Sequence, residues 1–219
     1  MQTINSATER GQQWDRFYHS QVAPKAVRSR KERFGIALKE VANRFSHRPL
    51  RILNVGSGPA REILDGAEEA GLKPSDLYIE CVDQDINAIE YAQNLLGGPW
   101  SESVHFVKRN ALRYRPKAEF HLAWSSGLFD YFNHRLAVRL MTNMFESIIP
   151  NGIIQIGNFA DTHSTRPWIE WCGDWHLIHR SRSDMEKIAI DALELKKYKI
   201  QCSIDKYDAV RFLIITKSS

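Results

Sequence analysis

The residues best suited to bind a ligand lie in a glycine loop, NVGSGPAR at positions 54 to 61, directly after a short apolar run. Gly56 and Gly58 let the backbone turn tightly and approach a ligand closely. The helix expected after the loop offers free N–H groups to anionic or polar atoms. The third glycine of the dinucleotide fingerprint would fall at Arg61, a large residue that argues against pyrophosphate packing of the NAD type. The loop therefore predicts a cofactor site and disfavours a dehydrogenase.

A second group of polar residues, Asp83, Gln84 and Asp85, follows the apolar run LYIECV. A carboxylate at the end of a strand can accept two hydrogen bonds from a ribose diol, and Asp83 is assigned that role. Asp85 precedes a helical pattern and is assigned as its N-cap. Simple capping and turn formation remain the alternative for both acids.

Two longer segments could face a substrate. The first, SSGLFDYF at 125 to 132, follows another apolar run, and its apolar residues could instead only pack. The second, residues 158 to 181, holds three of the six tryptophans together with two arginines and three histidines. Such a segment is too long to be a mere connector. We therefore predict a substrate cap at about 160–181, with a plain surface excursion as the alternative.

The elements that must position these residues follow from the hydrophobic pattern. Helical segments at 59–70, 86–96 and 134–149 alternate with five β-rich runs, which are 50–56, 77–83, 104–110, 120–126 and 152–159. This alternation is typical of a parallel sheet covered by helices on both faces. Pro150-Asn151-Gly152 is expected to end the third helix. A helix with a Ser183/Glu186 capping box then precedes two closely joined strands, which must be antiparallel.

The first 48 residues are polar and basic and are interpreted as an N-terminal helical arm or cap. Apolar residues recur at helical spacing over residues 24 to 45, which predicts one helix preceded by a more irregular arm. Residues 49–219 are predicted to form a single domain.

Composition narrows the function classes. The chain has 219 residues and a net charge of +4, and no apolar run approaches the ~20 residues that a membrane-spanning helix needs. The N-terminus has no apolar signal core, so a cytoplasmic location is expected. The cysteines, Cys81, Cys172 and Cys202, and the eight histidines lack the spacing of a metal site, so no metal is predicted.

Two motifs, NVGSGPAR and ECVDQDINAIEYA, resemble those of the class I S-adenosylmethionine-dependent methyltransferases over residues 50 to 160. The resemblance implies a Rossmann-like seven-stranded sheet with a terminal antiparallel hairpin, and S-adenosylmethionine as cofactor. The family usually has an acid before the loop and often one after strand three, where this chain has Asn54 and Asn110. The residues assigned to the cofactor are Asn54, Gly56, Ser57, Gly58, Asp83, Gln84, Asn110, Ala111 and Ser125.

A narrower resemblance rests on GLFDYF, GNF and DWHLIHRS. These segments are similar to bacterial methyltransferases related to the quorum-signal enzyme that makes 3-hydroxy fatty acid methyl esters, which implies a carboxyl group as methyl acceptor. A carboxylate is ionised at neutral pH and needs a cation to hold it rather than a base. The residues assigned to the acceptor are Arg28, Arg30, Phe129, Arg166, Trp175 and Arg180. A hydroxyl or amine acceptor would need a base, for which His163, Tyr131 and Asp130 are the candidates.

The sequence leaves other functions open. An RNA or protein methyltransferase is compatible with the basic N-terminal helix and the pI of about 9.0, but no RNA-binding module is present, and a small-molecule acceptor is favoured. A non-catalytic cofactor-binding or partner protein of the same fold is supported only by the neutral Asn54 and Asn110. The acceptor, the atom that is methylated and the oligomeric state are not predicted.

Overall fold

The structure, a computed structural model, describes residues 6–219. Its helices are α1 (Glu9–Ser20), α2 (Val22–Arg44), α3 (Glu62–Ala70), α4 (Ile86–Leu95), α5 (His134–Glu146), α6 (Arg166–Gly173) and α7 (Arg182–Leu193). Its strands are β1 (Leu50–Val55), β2 (Leu77–Asp83), β3 (Val104–Lys108), β4 (Phe120–Ser125), β5 (Ile148–Phe159), β6 (Tyr198–Ile204) and β7 (Val210–Lys217). Short 3₁₀ helices occur at Pro74–Asp76, Gly98–Trp100 and Leu128–Tyr131.

All seven strands form one sheet in the order β3-β2-β1-β4-β5-β7-β6. The first five are parallel, and β7 runs antiparallel between β5 and β6. The predicted seven-stranded α/β sheet with a terminal hairpin is confirmed. Because the carboxyl ends of β1 to β5 meet at one edge, the loops that follow these strands come together there.

Helices cover both faces of the sheet, and each face has its own apolar core. One core is built from α2, α3 and α4, the other from α5 and α7. Helix α2 belongs fully to the first core, since Phe34, Leu38 and Val41 are completely buried and the Phe34 ring lies 5.1 Å from that of Trp124. The long helix predicted at 24–45 is therefore part of the core, and its Arg30 reaches Asp130 in the segment that follows β4.

Four local predictions differ from the structure. The arm before α2 is not irregular, because it contains α1, capped by Thr8. Helix α5 ends at Glu146, and the segment 150–152 lies inside β5, where a register shift against β4 accommodates it. Helix α7 has its capping box at Ser181 and Asp184 instead of two residues later. Helix α3 begins at Glu62, because the glycine loop continues to turn through Ala60 at φ 49°.

None of the helices described over residues 6–219 is both long enough and apolar enough to cross a membrane.

Candidate functional site

The glycine loop leaves β1 and folds against the end of β2. Gly56 and Gly58 have φ angles of 65° and 51°, which favour glycine. The N–H of Gly56 donates to the carbonyl of Val82 at 2.8 Å. Leu128 lies directly over the loop, since a Cβ atom placed on Gly56 would be 2.9 Å from the Leu128 Cβ. A side chain at position 56 would therefore disturb the contact between two loops of the site.

Asp83 links the loops after β1 and β2. One carboxylate oxygen accepts the N–H of Gly58 at 2.7 Å, and the other accepts the N–H of Asp85 at 2.9 Å. Asp85 in turn accepts the N–H of Asn87 at 2.9 Å and caps α4, so the cap assignment is confirmed. The carboxylate of Asp83 is therefore held by main-chain donors at the lip of the loop, where it remains half-buried.

A small cavity of about 100 Å³ brings several predicted residues together. Its lining includes Gly56, Asp83, Gln84, Asn110 and Ala111, and it also contains Val82, Arg109, Leu128 and Phe132. The amide of Asn110 donates to the Gln84 side chain at 3.3 Å. Sequence reasoning missed Arg109, because an exposed arginine after a strand carries no distinguishing pattern.

Several polar side chains in and around the glycine loop are buried. The Asn54 amide donates to Glu62 at 2.8 Å, and burial raises the pKa of the Glu62 carboxyl. Sequence reasoning missed Glu62, whose signal was an acid in the first turn of the helix after the loop. The hydroxyl groups of Ser57 and Ser125 are buried and find no hydrogen-bond partner among the described residues. Buried hydroxyls without partners are costly, so a polar ligand at this edge would satisfy them.

A second group of functional residues surrounds Phe159, at the end of β5. Arg30 of α2 forms an ion pair with Asp130 at 3.1 Å, and its guanidinium carbon lies 4.8 Å from the centre of the Phe159 ring. Asp130 also accepts the N–H of Phe159 at 2.7 Å. Burial raises the pKa of Asp130, while the charge of Arg30 opposes that change. With both carboxylate oxygens engaged, Asp130 is poorly placed to act as the base that the sequence suggested.

Arg180 and Phe129, both assigned to the acceptor from the sequence, are buried inside the protein. Arg180 is buried, and its guanidinium donates to the Phe129 carbonyl at 2.6 Å, to the Asn158 side chain at 2.5 Å and to the Phe132 carbonyl. The Phe129 ring is completely buried in the core with α5 and α7. Arg180 thus joins the loop after β4 to β5 through these contacts with protein acceptors.

The remaining predicted arginines lie nearer the surface. Arg166 is exposed and pairs with Glu170 one turn along α6 at 2.8 Å. Arg28 is half-buried and donates to the carbonyl of His19 at 2.7 Å. Arg30 differs from both, because it is only 9% exposed and its Nε has no partner among the described residues.

Aromatic and histidine residues of the segment 160–181, which the sequence predicts as a cap, also contact Phe159. His163 is buried, its Nε2 lies 2.9 Å from Nε2 of His179, and burial lowers its pKa to about 4. Trp175 packs edge-on against Phe159 at 5.6 Å and donates to the hydroxyl of Tyr131 at 2.9 Å. Tyr131 and Trp175 therefore lie together at the rim, whereas His163 is engaged with a second histidine inside the cap.

Comparisons with known proteins found similarity only among solved structures. No protein family and no curated protein matches the sequence. A possible exported protein from Bordetella parapertussis has a TM-score of 0.76 at 16% identity, covering 100% of this chain and 76% of that chain. Magnesium protoporphyrin IX methyltransferase from Synechocystis with bound S-adenosylhomocysteine has a TM-score of 0.65 at 13% identity, covering 94% and 92%. The N-methyltransferase NodS from Bradyrhizobium japonicum, in complex with S-adenosyl-l-homocysteine, has a TM-score of 0.58 at 13% identity, covering 86% and 87%.

The chain thus has the α/β fold of these methyltransferases.

Proposed function

We propose that the chain is an S-adenosylmethionine-dependent methyltransferase that acts on a small molecule. The observation that carries the proposal is the convergence of Gly56, Asp83 and Asn110 on one cavity at the carboxyl edge of the sheet. Two neighbours of the same fold contain S-adenosylhomocysteine. The hydroxyl groups of Ser57, next to Gly56 in the loop, and of Ser125, at the end of β4, are buried without hydrogen-bond partners among the described residues, so a polar cofactor at this edge would supply them.

The residues of the chain would hold the cofactor in three ways. Asp83 would accept hydrogen bonds from the ribose hydroxyls, the glycine loop would present its main chain to the methionine part, and Asn110 would contact the adenine. The bound cofactor supplies a methyl group already activated by a positive sulfur. The protein then has to align the acceptor and exclude water.

The buried charges favour an anionic acceptor. Of the described residues, the buried arginines and aspartates are Arg30, Arg180 and Asp130, and all three lie in the group around Phe159. Two cations and one anion leave an excess positive charge in a desolvated place, which favours a negatively charged ligand. Arg30 is the member with an unpartnered donor. We therefore propose O-methylation of a carboxylate, with Arg30 holding it.

A carboxylate acceptor also agrees with the state of the candidate bases. Asp130 is fixed in an ion pair and His163 in a histidine pair, and neither would be needed, since a carboxylate is ionised at neutral pH. A hydroxyl acceptor would need a base, and of the three candidates Tyr131, which is 57% exposed, is the one that remains accessible.

The test is methyl transfer by the purified chain. Labelled S-adenosylmethionine is supplied with a panel of carboxylic acids and with the matching amides, and methylated products are read by mass spectrometry. We expect products from acids and none from amides. Because Arg30→Gln also leaves Asp130 buried without its partner, its urea midpoint is measured first, and turnover is compared under conditions in which the variant is folded. The folded variant should lose acceptor turnover while still binding S-adenosylhomocysteine, whereas Lys31→Gln, at a half-buried position on the same helix, should resemble the wild type. Absence of S-adenosylhomocysteine binding by the wild type would refute the proposal.

A further inference from the structure

Helix α1 presents its aromatic residues to solvent. Trp14, Phe17 and Tyr18 are 59%, 45% and 41% exposed, and their spacing of three to four residues places them on one side of the helix. The half-buried residues of α1 lie on the opposite side and are Gly11, Gln12, Asp15 and His19. A surface helix normally buries its apolar side and exposes its polar side. Helix α1 has the reverse orientation.

The polar side of α1 is fastened to the protein by specific hydrogen bonds. Arg28 of α2 donates to the carbonyl of His19 at 2.7 Å. The same guanidinium lies 3.3 Å from Nδ1 of the His19 ring. The reversed orientation is therefore held by contacts to the polar side, and turning the aromatic side inward would break them.

The aromatic side continues onto the cap helix α6. The ring of Trp168 lies 6.1 Å from that of Phe17 and 5.4 Å from that of Tyr18, and Trp14 lies 5.7 Å from Phe17. Trp14, Phe17, Tyr18 and Trp168 thus form one surface, which we call the aromatic face. An open groove of about 410 Å³, lined by Arg10, Gln13, Trp14 and Phe17, lies at its α1 end. Continuous apolar surface of this kind on a soluble domain marks an interaction site.

Helix α1 carries two cations, Arg10 and Arg16, and two anions, Glu9 and Asp15, and of these four residues Arg10 is the one that lines the groove. Arg10 lies four residues before Trp14 and lines the same groove. Arg16 and Lys25 lie nearby in sequence. Within residues 6–219, none of these three cations forms an ion pair, whereas the arginines Arg44, Arg166 and Arg182 all do. Unpaired cations beside exposed aromatic rings match the requirements of an anionic lipid surface, where tryptophan and tyrosine rings occupy the headgroup level.

A second copy of the chain fits this face less well. A two-fold dimer through the groove would bring Arg10 of one chain close to the same residue of the other, and like charges repel in an interface centre. The outward residues of α1 also include no leucine, isoleucine or valine, because the helix contains none.

We propose that the aromatic face binds the surface of an anionic lipid bilayer, with the rings at headgroup level and Arg10 on lipid phosphates. The proposal does not depend on the methyltransferase activity, since none of its residues lines the cofactor cavity.

Co-sedimentation with vesicles tests the proposal. The full chain is mixed with phosphatidylcholine vesicles containing about 30 mol% phosphatidylglycerol, or none, at low and high salt. We expect the wild type to sediment with the anionic vesicles only, and less at high salt. The double variant W14S/F17S should reduce the partition coefficient by about tenfold or more. The matched control is Tyr91→Ser, which removes a ring of similar exposure, 47%, from α4.

Circular dichroism verifies that each variant is folded, and Arg10→Gln serves as a second variant that leaves the rings in place. Arg10→Gln should weaken binding and flatten its salt dependence. Failure of the wild type to bind anionic vesicles would overturn the proposal. Equal binding by W14S/F17S and Tyr91→Ser would overturn it as well. Sedimentation equilibrium showing a dimer that W14S/F17S dissociates, without vesicle binding, would assign the face to self-association instead.

Discussion

The loops after β1, β2 and β3 and the group around Phe159 form the same edge of the sheet in different ways. In the first region, the hydrogen bonds that connect the loops involve main-chain groups. Asp83, for example, accepts the N–H groups of Gly58 and Asp85. In the second region, buried side chains meet from distant parts of the chain, as where Arg30 pairs with Asp130, 100 residues away. Side chains of the first region, such as Asp83 and Asn110, are partly or fully exposed to solvent, whereas Arg30 and Asp130 of the second region are buried.

This difference predicts different responses to mutation. Removing the half-buried carboxylate of Asp83 should affect ligand binding more than folding, because water can take its place in the unliganded protein. A buried ion pair should affect folding first, because removing one partner leaves an uncompensated charge.

The largest effect is expected from Asp130→Ala. The substitution leaves Arg30 and Arg180 buried without their anion and leaves the Phe159 N–H without its acceptor. We expect the free energy of unfolding to fall by about 3–5 kcal/mol, measured by urea denaturation. The control is Asp65→Ala, which removes an exposed partner of Lys31 and should leave the urea midpoint nearly unchanged. Similar midpoints for both variants would refute the buried-charge interpretation.

How far the sequence could predict these regions follows from the same difference. The sequence predicts the cofactor residues in the loop after β1, at Asp83 and at Asn110. Each follows a recognisable strand, and parallel strands end at one edge of the sheet. The cavity that joins Gly56, Asp83, Gln84, Asn110 and Ala111 is the consequence. The terminal hairpin is predictable for a different reason, because two strands joined by so few residues must be antiparallel.

The group around Phe159 was only partly predictable, because its partners depend on tertiary contacts. The sequence assigns Arg180 to the acceptor, but a bridge between Ala160 and Arg180 brings it into contact with buried protein groups. The helix α1 was missed because its aromatic residues face outward and leave no inward apolar stripe. Pro150 did not end a helix, since β5 begins at Ile148 and tertiary pairing overrides the local signal.

The next effect concerns Asp83→Ala, which should act on binding. Loss of a charge-assisted pair of hydrogen bonds costs on the order of 1.5–3 kcal/mol, so calorimetry should show S-adenosylhomocysteine affinity reduced by at least about tenfold. The urea midpoint should change far less than in Asp130→Ala, because Asp83 is half-buried. Asp85→Ala, which removes only the cap of α4, is the matched control. Unchanged affinity in Asp83→Ala would exclude the ribose assignment.

A smaller effect on the free energy of unfolding is expected when the pH is lowered. Burial lowers the pKa of His163 to about 4, and burial also lowers that of His179. An unfolded histidine titrates near ~6.5, so the unfolded chain binds more protons below that pH and stability is lost as the pH falls from about 6.5 to about 4. Glu170, Asp161 and Asp205 oppose this change, and Arg166 adds to it.

Urea midpoints measured at pH 7 and pH 5 test this, and we expect the loss to be about 1–2 kcal/mol, because solvent screens part of the pair. His163→Gln should be less sensitive to acid than the wild type. His176→Gln, which lies in the same segment but is exposed beside Asp174, should keep the wild-type sensitivity. Equal pH dependence of all three proteins would show that the buried pair does not titrate in this range.

The smallest effect is expected from Arg166→Gln, and it tests where the second region ends. Arg166 pairs only with Glu170 on the surface of α6, and exposed pairs one turn apart contribute little to stability. We expect an unchanged urea midpoint, cofactor affinity like that of the wild type, and acceptor turnover within about threefold, in contrast to Arg30→Gln. A loss of turnover above about tenfold with intact cofactor binding would place Arg166 on the acceptor. The cap would then close over the acceptor during turnover, and the desolvated region would extend beyond Phe159 to the surface of α6.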